Sequence, residues 1–300
     1  MTQPVFRFAP SPNGRLHLGH AYSALLNAAF AEHWGGRFLL RIEDIDVTRC
    51  RPEFEAGIFE DLGWLGLSWE TPVRRQSEHF PEYQKAARGL GTRGLLYPCF
   101  CSRTQVAKAV EARGDGWPHD PDGTALYPGT CATLATAQAQ ARIASGEPHA
   151  WRVRMSAALE VATCLLAYPS FVREGGTRAV VAAPERWGDA VIVRKDTPTS
   201  YHLSVVIDDA LQDVTHVVRG TDLKASTDLH VLLQALLQLP TPLYHHHELI
   251  RDAEGDKLSK SASAEALADL RARGVSAHEV RAQLGFASSR SPEPGARSSA

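Results

Sequence analysis

Arg7-Phe8-Ala9-Pro10-Ser11-Pro12-Asn13-Gly14-Arg15-Leu16-His17-Leu18-Gly19-His20 decides how the chain begins to fold. Val5 to Ala9 is a short apolar strand, and Pro10 to Gly14 is a turn dense enough to end it. From His17 to Trp34, apolar residues recur at Leu18, Ala21, Leu25, Leu26, Ala29 and Phe30, which is helical spacing. His17, Gly19 and His20 therefore fall at a helix start, where unpaired backbone N–H groups and the helix dipole favour an anion. Two imidazole donors there can reach phosphate oxygens, and Gly19 leaves room for a base or ribose to approach. Taken alone, the two could equally be surface histidines or a metal pair at i and i+3.

A second stretch shifts that balance. Lys257-Leu258-Ser259-Lys260-Ser261 follows the polar run Asp252 to Asp256 and precedes an Ala/Leu helical pattern starting near Ala264. A lysine loop of this kind can close over phosphates and offset the charge that grows during in-line displacement at phosphorus. Two histidines and two lysines facing a triphosphate from opposite sides read as ATP chemistry.

Outward from these motifs, residues 1–95 read as strand, helix, strand and two further helices near Glu53–Trp64 and Glu82–Leu90, a βαβ pattern. Residues 96–185 read as an insertion with an Ala-rich helix at Leu134–Ala144. Strands resume at Ala190–Val193 and Ser204–Ile207, and an amphipathic helix runs from Asp228 to Leu239. On a strand, Asp208 and Asp209 would point to opposite faces, which argues against a shared acid–base role. His245-His246-His247 reads as a strand end that brings one histidine near nucleotide. Residues 286–300, rich in Ser, Pro, Gly and Arg, read as a disordered tail.

A chain of 300 residues with 44% hydrophobic content can bury one or two sizeable cores. A net charge of −2 excludes global steering toward RNA, so an RNA surface would have to be a local arginine patch. Five cysteines without a signal peptide or an apolar span point to a reducing cytoplasm and free thiols. Cys99, Cys101 and Cys131 supply three thiolates which, with one more ligand such as His119, would make a closed tetrahedral zinc site. Cys50 and Cys164 read as buried apolar thiols.

In combination the motifs resemble those of class I aminoacyl-tRNA synthetases, whose signatures, usually called HIGH and KMSKS, read here His17-Leu18-Gly19-His20 and Lys257-Leu258-Ser259-Lys260-Ser261. Arg7 to Pro12, Arg41-Ile42-Glu43-Asp44-Ile45-Asp46 and Val217-Val218-Arg219-Gly220-Thr221-Asp222 narrow the likeness to the glutamyl branch, over residues 5 to 285. The resemblance implies an α/β fold: a Rossmann-like catalytic core over 1–95 and 186–285 carrying the lysine loop, with a zinc-containing subdomain inserted at 96–185. It implies catalytic roles for His17, His20, Lys257 and Lys260, and ATP contacts from His17, Gly19, His20 and Lys260, with Mg²⁺ accompanying the nucleotide. It implies glutamate contacts from Arg7, Phe8, Ala9, Pro10, Ser11, Glu43, Tyr201 and Arg219, and one structural zinc on Cys99, Cys101, Tyr127 and Cys131.

The chemistry of those side chains agrees with the ligand. Guanidinium forks suit carboxylates, Glu43 suits an ammonium, and Tyr201 offers a phenol. Asn13 for Thr and Leu258 for Met are mild departures from the branch. Little chain follows Lys260, so the likeness is to the truncated lineage of the branch: a cytoplasmic, monomeric ligase that activates L-glutamate without tRNA. That lineage transfers glutamate to queuosine in the anticodon of tRNA(Asp). The alternatives are a short synthetase acting on a tRNA 3′ end, another HxGH nucleotidylyltransferase, and a non-enzymatic RNA-binding paralogue.

Overall fold

The computed structural model describes residues 3–162, 165–172, 175–250 and 265–286. Lys257, Lys260 and Cys164 lie outside the described residues. In chain order the elements are β1 (Val5–Phe8), α1 (Leu18–His33), β2 (Arg37–Ile42), α2 (Pro52–Trp64), β3 (Glu70–Arg75), α3 (Phe80–Thr92), β4 (Leu96–Cys99), α4 (Arg103–Glu111), α5 (Thr136–Ala144) and β5 (Ala150–Val153). There follow α6 (Met155–Val161), β6 (Ala167–Phe171), β7 (Thr177–Val181), β8 (Val191–Val193), α7 (Tyr201–Leu211), β9 (His216–Gly220), α8 (Ser226–Leu237), β10 (Leu243–His247), α9 (Leu267–Ala272) and α10 (Ala277–Gln283).

Seven strands form the main sheet in the order β3-β2-β1-β9-β10-β6-β7. Every neighbouring pair is parallel except β6 with β7. This is the Rossmann-like α/β core that the motifs imply, with apolar clusters packed on both faces. From β1 the chain winds outward through β2 and β3 on one side, and later through β9 and β10 on the other, so the strand order reverses between β1 and β9. Ligands bind outside the carboxyl ends of strands at such a switch point. A three-stranded antiparallel sheet, β4-β5-β8, carries the cysteine cluster. It draws β8 from beyond residue 185, while the main sheet takes β6 and β7 from within 96–185.

The segment 201–211 departs from its sequence reading. Ser204–Ile207 is not a strand but the middle of helix α7, and Leu203 through Asp209 are all buried. Ser200 caps the helix by accepting the Leu203 N–H, and burial on several sides removes the polar stripe that marks a helix in sequence. Asp208 and Asp209 consequently share a helix instead of opposite sheet faces. Helix α8 is likewise buried along almost its whole length rather than amphipathic.

One buried charge sits in a helix contact away from the switch point. Asp61 of α2, 3% exposed at its side chain, meets Arg271 of α9 at 3.3 Å. Burial pushes its carboxyl up to about 6, only partly opposed by Arg271. A carboxyl raised in the fold contributes stability that is complete below its unfolded value near 3.8 and is lost as pH rises through about 6. Asp61→Asn is therefore expected to stabilise the chain by about 1–2 kcal/mol at pH 8 and by almost nothing near pH 4. Urea unfolding at both pH values checks this, and a loss of stability at pH 8 would show that the ion pair outweighs the burial of the charge.

Candidate active site

The carboxyl ends of β1, β2, β9 and β10 meet the start of α1 around a cleft of about 330 Å³. Arg7, Phe8, Ala9, Pro10 and Ser11 line it from the first strand and turn, His17, Gly19 and His20 from the helix start, and Glu43, Tyr201 and Arg219 from the other sides. Residues separated by more than two hundred positions in sequence thus share one cavity. Gly220, Asp222 and His247 also line it, and sequence reasoning had singled out none of them individually. Gly220 is where backbone comes close: a Cβ there would lie 2.4 Å from Asp222 Oδ1 and 2.7 Å from Leu249 Cδ2.

His17 is the N-cap of α1. Its Nδ1 accepts the Gly19 N–H at 3.1 Å, and His20 Nδ1 accepts the His17 N–H at 3.2 Å. With both Nδ1 atoms accepting, the neutral rings carry their protons on Nε2. Burial lowers His17, and burial with the neighbouring His17 brings His20 down to about 3, so both stay neutral donors at physiological pH. The rings lie 3.9 Å apart. The room that the sequence assigned to a nucleotide at Gly19 is partly used by His17 itself, whose Cε1 lies 3.0 Å from where a Cβ would stand.

Below the cleft lies a charge network whose centre, Arg41, sequence reasoning missed. Its side chain is fully buried; Nη2 donates to Asp209 Oδ1 at 2.8 Å and to Glu43 Oε1 at 3.2 Å, and Nη1 to Gln212 at 3.0 Å. Arg7 grips the same Asp209 through Nε at 3.0 Å. Asp208, one residue earlier, accepts from Tyr83, Gln76 and Arg74. Burial works against the Arg41 charge, but Asp209, Glu43 and Asp208 outweigh it and hold the pKa above its ordinary value. The available signal was an arginine inside the otherwise apolar strand Phe38-Leu39-Leu40-Arg41-Ile42, which demands a buried counter-charge.

Two cleft residues are left under-compensated. Arg219, 5% exposed, donates through Nη1 to Tyr201 Oη at 3.1 Å and through Nη2 to Thr227 Oγ1 at 2.7 Å, with His230 Nδ1 at 3.2 Å. Among the described residues it has no carboxylate partner, and its buried Nε has no acceptor. Glu43 is the converse: burial lifts its carboxyl above the ordinary range although Arg41 and Arg7 oppose the shift. One cleft thus presents a buried cation with no carboxylate partner among the described residues and a buried carboxyl whose contact with Arg41 does not offset its burial.

Cys99, Cys101 and Cys131 bring their sulfurs within 4.8 Å of one another at the end of β4 and in a turn after Tyr127-Pro128-Gly129. Cys101 Sγ lies 3.5 Å from Cys131 Sγ and 3.4 Å from Tyr127 Oη. Zinc–sulfur bonds of about 2.3 Å in a tetrahedron need sulfurs about 3.8 Å apart, so the set fits that ion. Tyr127, not His119, stands with the three sulfurs. The Arg152 guanidinium stacks 3.8 Å from the Tyr127 ring centre. Cys50 is half-buried beside Ser11 Oγ at 3.7 Å rather than sealed in apolar surroundings. The three adjacent histidines diverge: His245 meets the Phe171 carbonyl, His246 meets Thr227, and His247 lines the cleft.

A second groove of about 960 Å³ runs between the cysteine cluster and the core, with Arg103, Arg152, Arg194 and Lys195 interleaved with acidic residues such as Asp120 and Asp189 on its walls. Among the described residues no helix is long and apolar enough to cross a membrane.

Comparison with known proteins places this arrangement. The family described as tRNA synthetases class I (E and Q), catalytic domain, matches residues 4–280. A glutamyl-Q tRNA(Asp) synthetase of Rhodobacter capsulatus is 46% identical over 294 residues, covering 94% of this chain and 100% of that protein. One from Symbiobacterium thermophilum is 39% identical, covering 96% and 87% respectively. Among solved structures, a glutamate tRNA ligase from Elizabethkingia meningosepticum in complex with its amino acid superposes with a TM-score of 0.69 at 29% identity, covering 85% of this chain. The chain spans 51% of that ligase. With the sequence match, the parallel sheet and the cleft at its switch point in agreement, the chain belongs to the class I tRNA synthetases of the glutamate and glutamine group, a family of ligase-type enzymes.

Proposed function

We propose that the chain activates L-glutamate with ATP, without tRNA, and transfers the glutamyl group to queuosine in the anticodon of tRNA(Asp). The observation that carries the first half is the pairing of Arg219, which has no carboxylate partner among the described residues, with Glu43, whose contact with Arg41 does not offset its burial, in one cleft beside two neutral histidine donors. An amino acid with a second carboxylate satisfies both, its ammonium at Glu43 and its acid at Arg219. Arg7, already held by Asp209, and the Phe8–Ser11 backbone complete the pocket. The identity of the acceptor rests on the relatives, which match along nearly their full length and are named for it.

In this reading the glutamate α-carboxylate attacks the α-phosphorus of ATP and pyrophosphate leaves. His17 and His20 donate Nε2–H groups to phosphate oxygens and exchange no proton, and Lys257 and Lys260, outside the described residues, would add positive charge. Mg²⁺ bound with ATP would offset phosphate charge. A hydroxyl of the queuine cyclopentenediol then attacks the acyl carbon, and AMP leaves. The division into a core over 1–95 and 186–285 and a metal-bearing insertion at 96–185 holds only with exchanged strands, since β8 joins the insertion's sheet and β6 and β7 join the core's.

Cys99, Cys101, Cys131 and Tyr127 would hold one structural zinc that ties β4 to the turn at Gly129. Purified protein is expected to carry one zinc per chain by atomic absorption. Cys131→Ser is expected to lose the metal and several kcal/mol of stability in the subdomain, part of the about 10–16 kcal/mol that structural zinc can supply. Full zinc content in that variant would remove Cys131 from the ligand set.

The test of function is glutamate-dependent ATP–pyrophosphate exchange without tRNA, followed by transfer of labelled glutamate to tRNA(Asp) with and without queuosine. Exchange without tRNA and label only on the queuosine form support the proposal. Exchange that requires tRNA(Glu), with label at its 3′ end, overturns it in favour of an ordinary synthetase. No exchange under either condition favours a non-enzymatic paralogue.

A further inference from the structure

Arg219 is held entirely by neutral groups, and two of them extend away from the cleft. A guanidinium can only donate, so His230 Nδ1, 3.2 Å from Arg219 Nη1, is bare and accepts. A neutral His230 then carries its proton on Nε2, which lies 3.1 Å from His202 Nδ1 and donates to it. His202 Nδ1 is bare in turn, its proton is on Nε2, and its ring borders the second groove. On the other edge, the Thr227 hydroxyl accepts from Arg219 Nη2 and donates to His246 Nε2 at 2.9 Å. Every tautomer in this chain follows from the arginine. His230 is 1% exposed, and burial with the nearby Arg219 charge holds both His230 and His202 well below their ordinary values, in accord with neutral rings.

A carboxylate is the usual partner of a buried arginine, as Asp209 is for Arg7 and Arg41 in the same protein. Such a partner at Arg219 would hold the guanidinium equally well but would compete with an incoming acid. A neutral acceptor fixes the geometry and leaves the charge uncompensated. We propose that His230 and His202 are positioning residues of the amino-acid site: a tautomer-locked, counter-charge-free pair that orients Arg219 while reserving its charge for the substrate's carboxylate. This rests on the reading of the cleft as a glutamate site.

The two isosteric variants His230→Asn and His230→Asp separate the possibilities. Asparagine keeps a neutral oxygen acceptor where Nδ1 stands; aspartate places a counter-charge there. His230→Asp is expected to raise KM for glutamate in pyrophosphate exchange at least tenfold above that of His230→Asn, with KM for ATP the same within twofold. A purely structural role predicts no such split, because an added ion pair leaves the fold intact. Equal glutamate KM values in the two variants, or a parallel rise in KM for ATP, overturns the proposal. Imidazole ¹⁵N spectra of the intact protein supply a readout independent of activity. Both rings are expected as Nε2–H tautomers from pH 5 to 8, and Arg219→Met is expected to release that preference at His230. A protonated Nδ1 on His230 in the wild type refutes the pair, whereas tautomers as expected without glutamate-dependent exchange would leave the pair standing and sink the glutamate reading alone.

Discussion

Arg219→Met is expected to lower kcat/KM for glutamate in pyrophosphate exchange by about 10²- to 10³-fold, equivalent to about 3–4 kcal/mol for truncating one partner of a desolvated, hydrogen-bonded charge pair. The loss should appear in KM for glutamate while KM for ATP stays nearly constant, since His17 and His20, the proposed nucleotide donors, come from a different element. Folding stability should change little. Arg219 has no carboxylate partner among the described residues, so its removal strands no buried anion, and methionine fills much of the same volume. A large functional loss with an almost unchanged thermal midpoint is the signature of a charge kept for a ligand. An unchanged glutamate KM would mean that Arg7 alone receives the acid, and a collapse of stability would mean that Arg219 is a structural ion after all.

The contrast between Arg219 and the Arg41 network also marks what could be read from sequence and what could not. His17 at a helix start followed from local rules, a Pro/Gly turn and a helical apolar period, and these operate within twenty residues. The parallel order of β1 and β2 followed from the same βαβ logic. The residues that share the cleft were legible as types with a known pattern, yet their meeting depends on β9 lying beside β1, which no local rule specifies. Helix α7 failed at the level of period: Val205-Val206-Ile207 is a β-branched run, and an all-round buried helix lacks the polar stripe by which helices are recognised. Misplacing that helix hid Asp208 and Asp209 as partners, and with them the role of Arg41. His230 had no sequence signal, because a buried histidine on an apolar helix looks like core until its neighbours are known.

Arg41→Met is expected to cost about 3–5 kcal/mol at pH 8, the range for removing one member of a buried ion network. The reason lies in what remains. Asp209 keeps Arg7, but Glu43 loses its only hydrogen-bonded cation among the described residues and Asp208 loses a charge 4.0 Å away, all at side chains no more than 12% exposed. The pH dependence separates this charge effect from a change of shape. Burial alone would raise Asp209, yet Arg7 and Arg41 outweigh it and hold it below its ordinary range. In the wild type that depressed carboxyl contributes stability present above its unfolded value near 3.8 and lost only as pH falls through the still lower folded value. Without Arg41 the folded value of Asp209 moves upward and that of Glu43, already raised by burial, moves further in the same direction. A raised carboxyl contributes most below its unfolded value and loses that contribution as pH rises, so the variant's deficit should be largest at pH 8 and shrink toward pH 5 as Glu43 takes up a proton. Urea unfolding of both proteins at the two pH values reads this directly. Equal deficits at pH 8 and pH 5 would assign the loss to packing around a fully buried side chain, and Arg41 would then act on the cleft by its shape rather than by the charge it shares with Glu43 and Asp209.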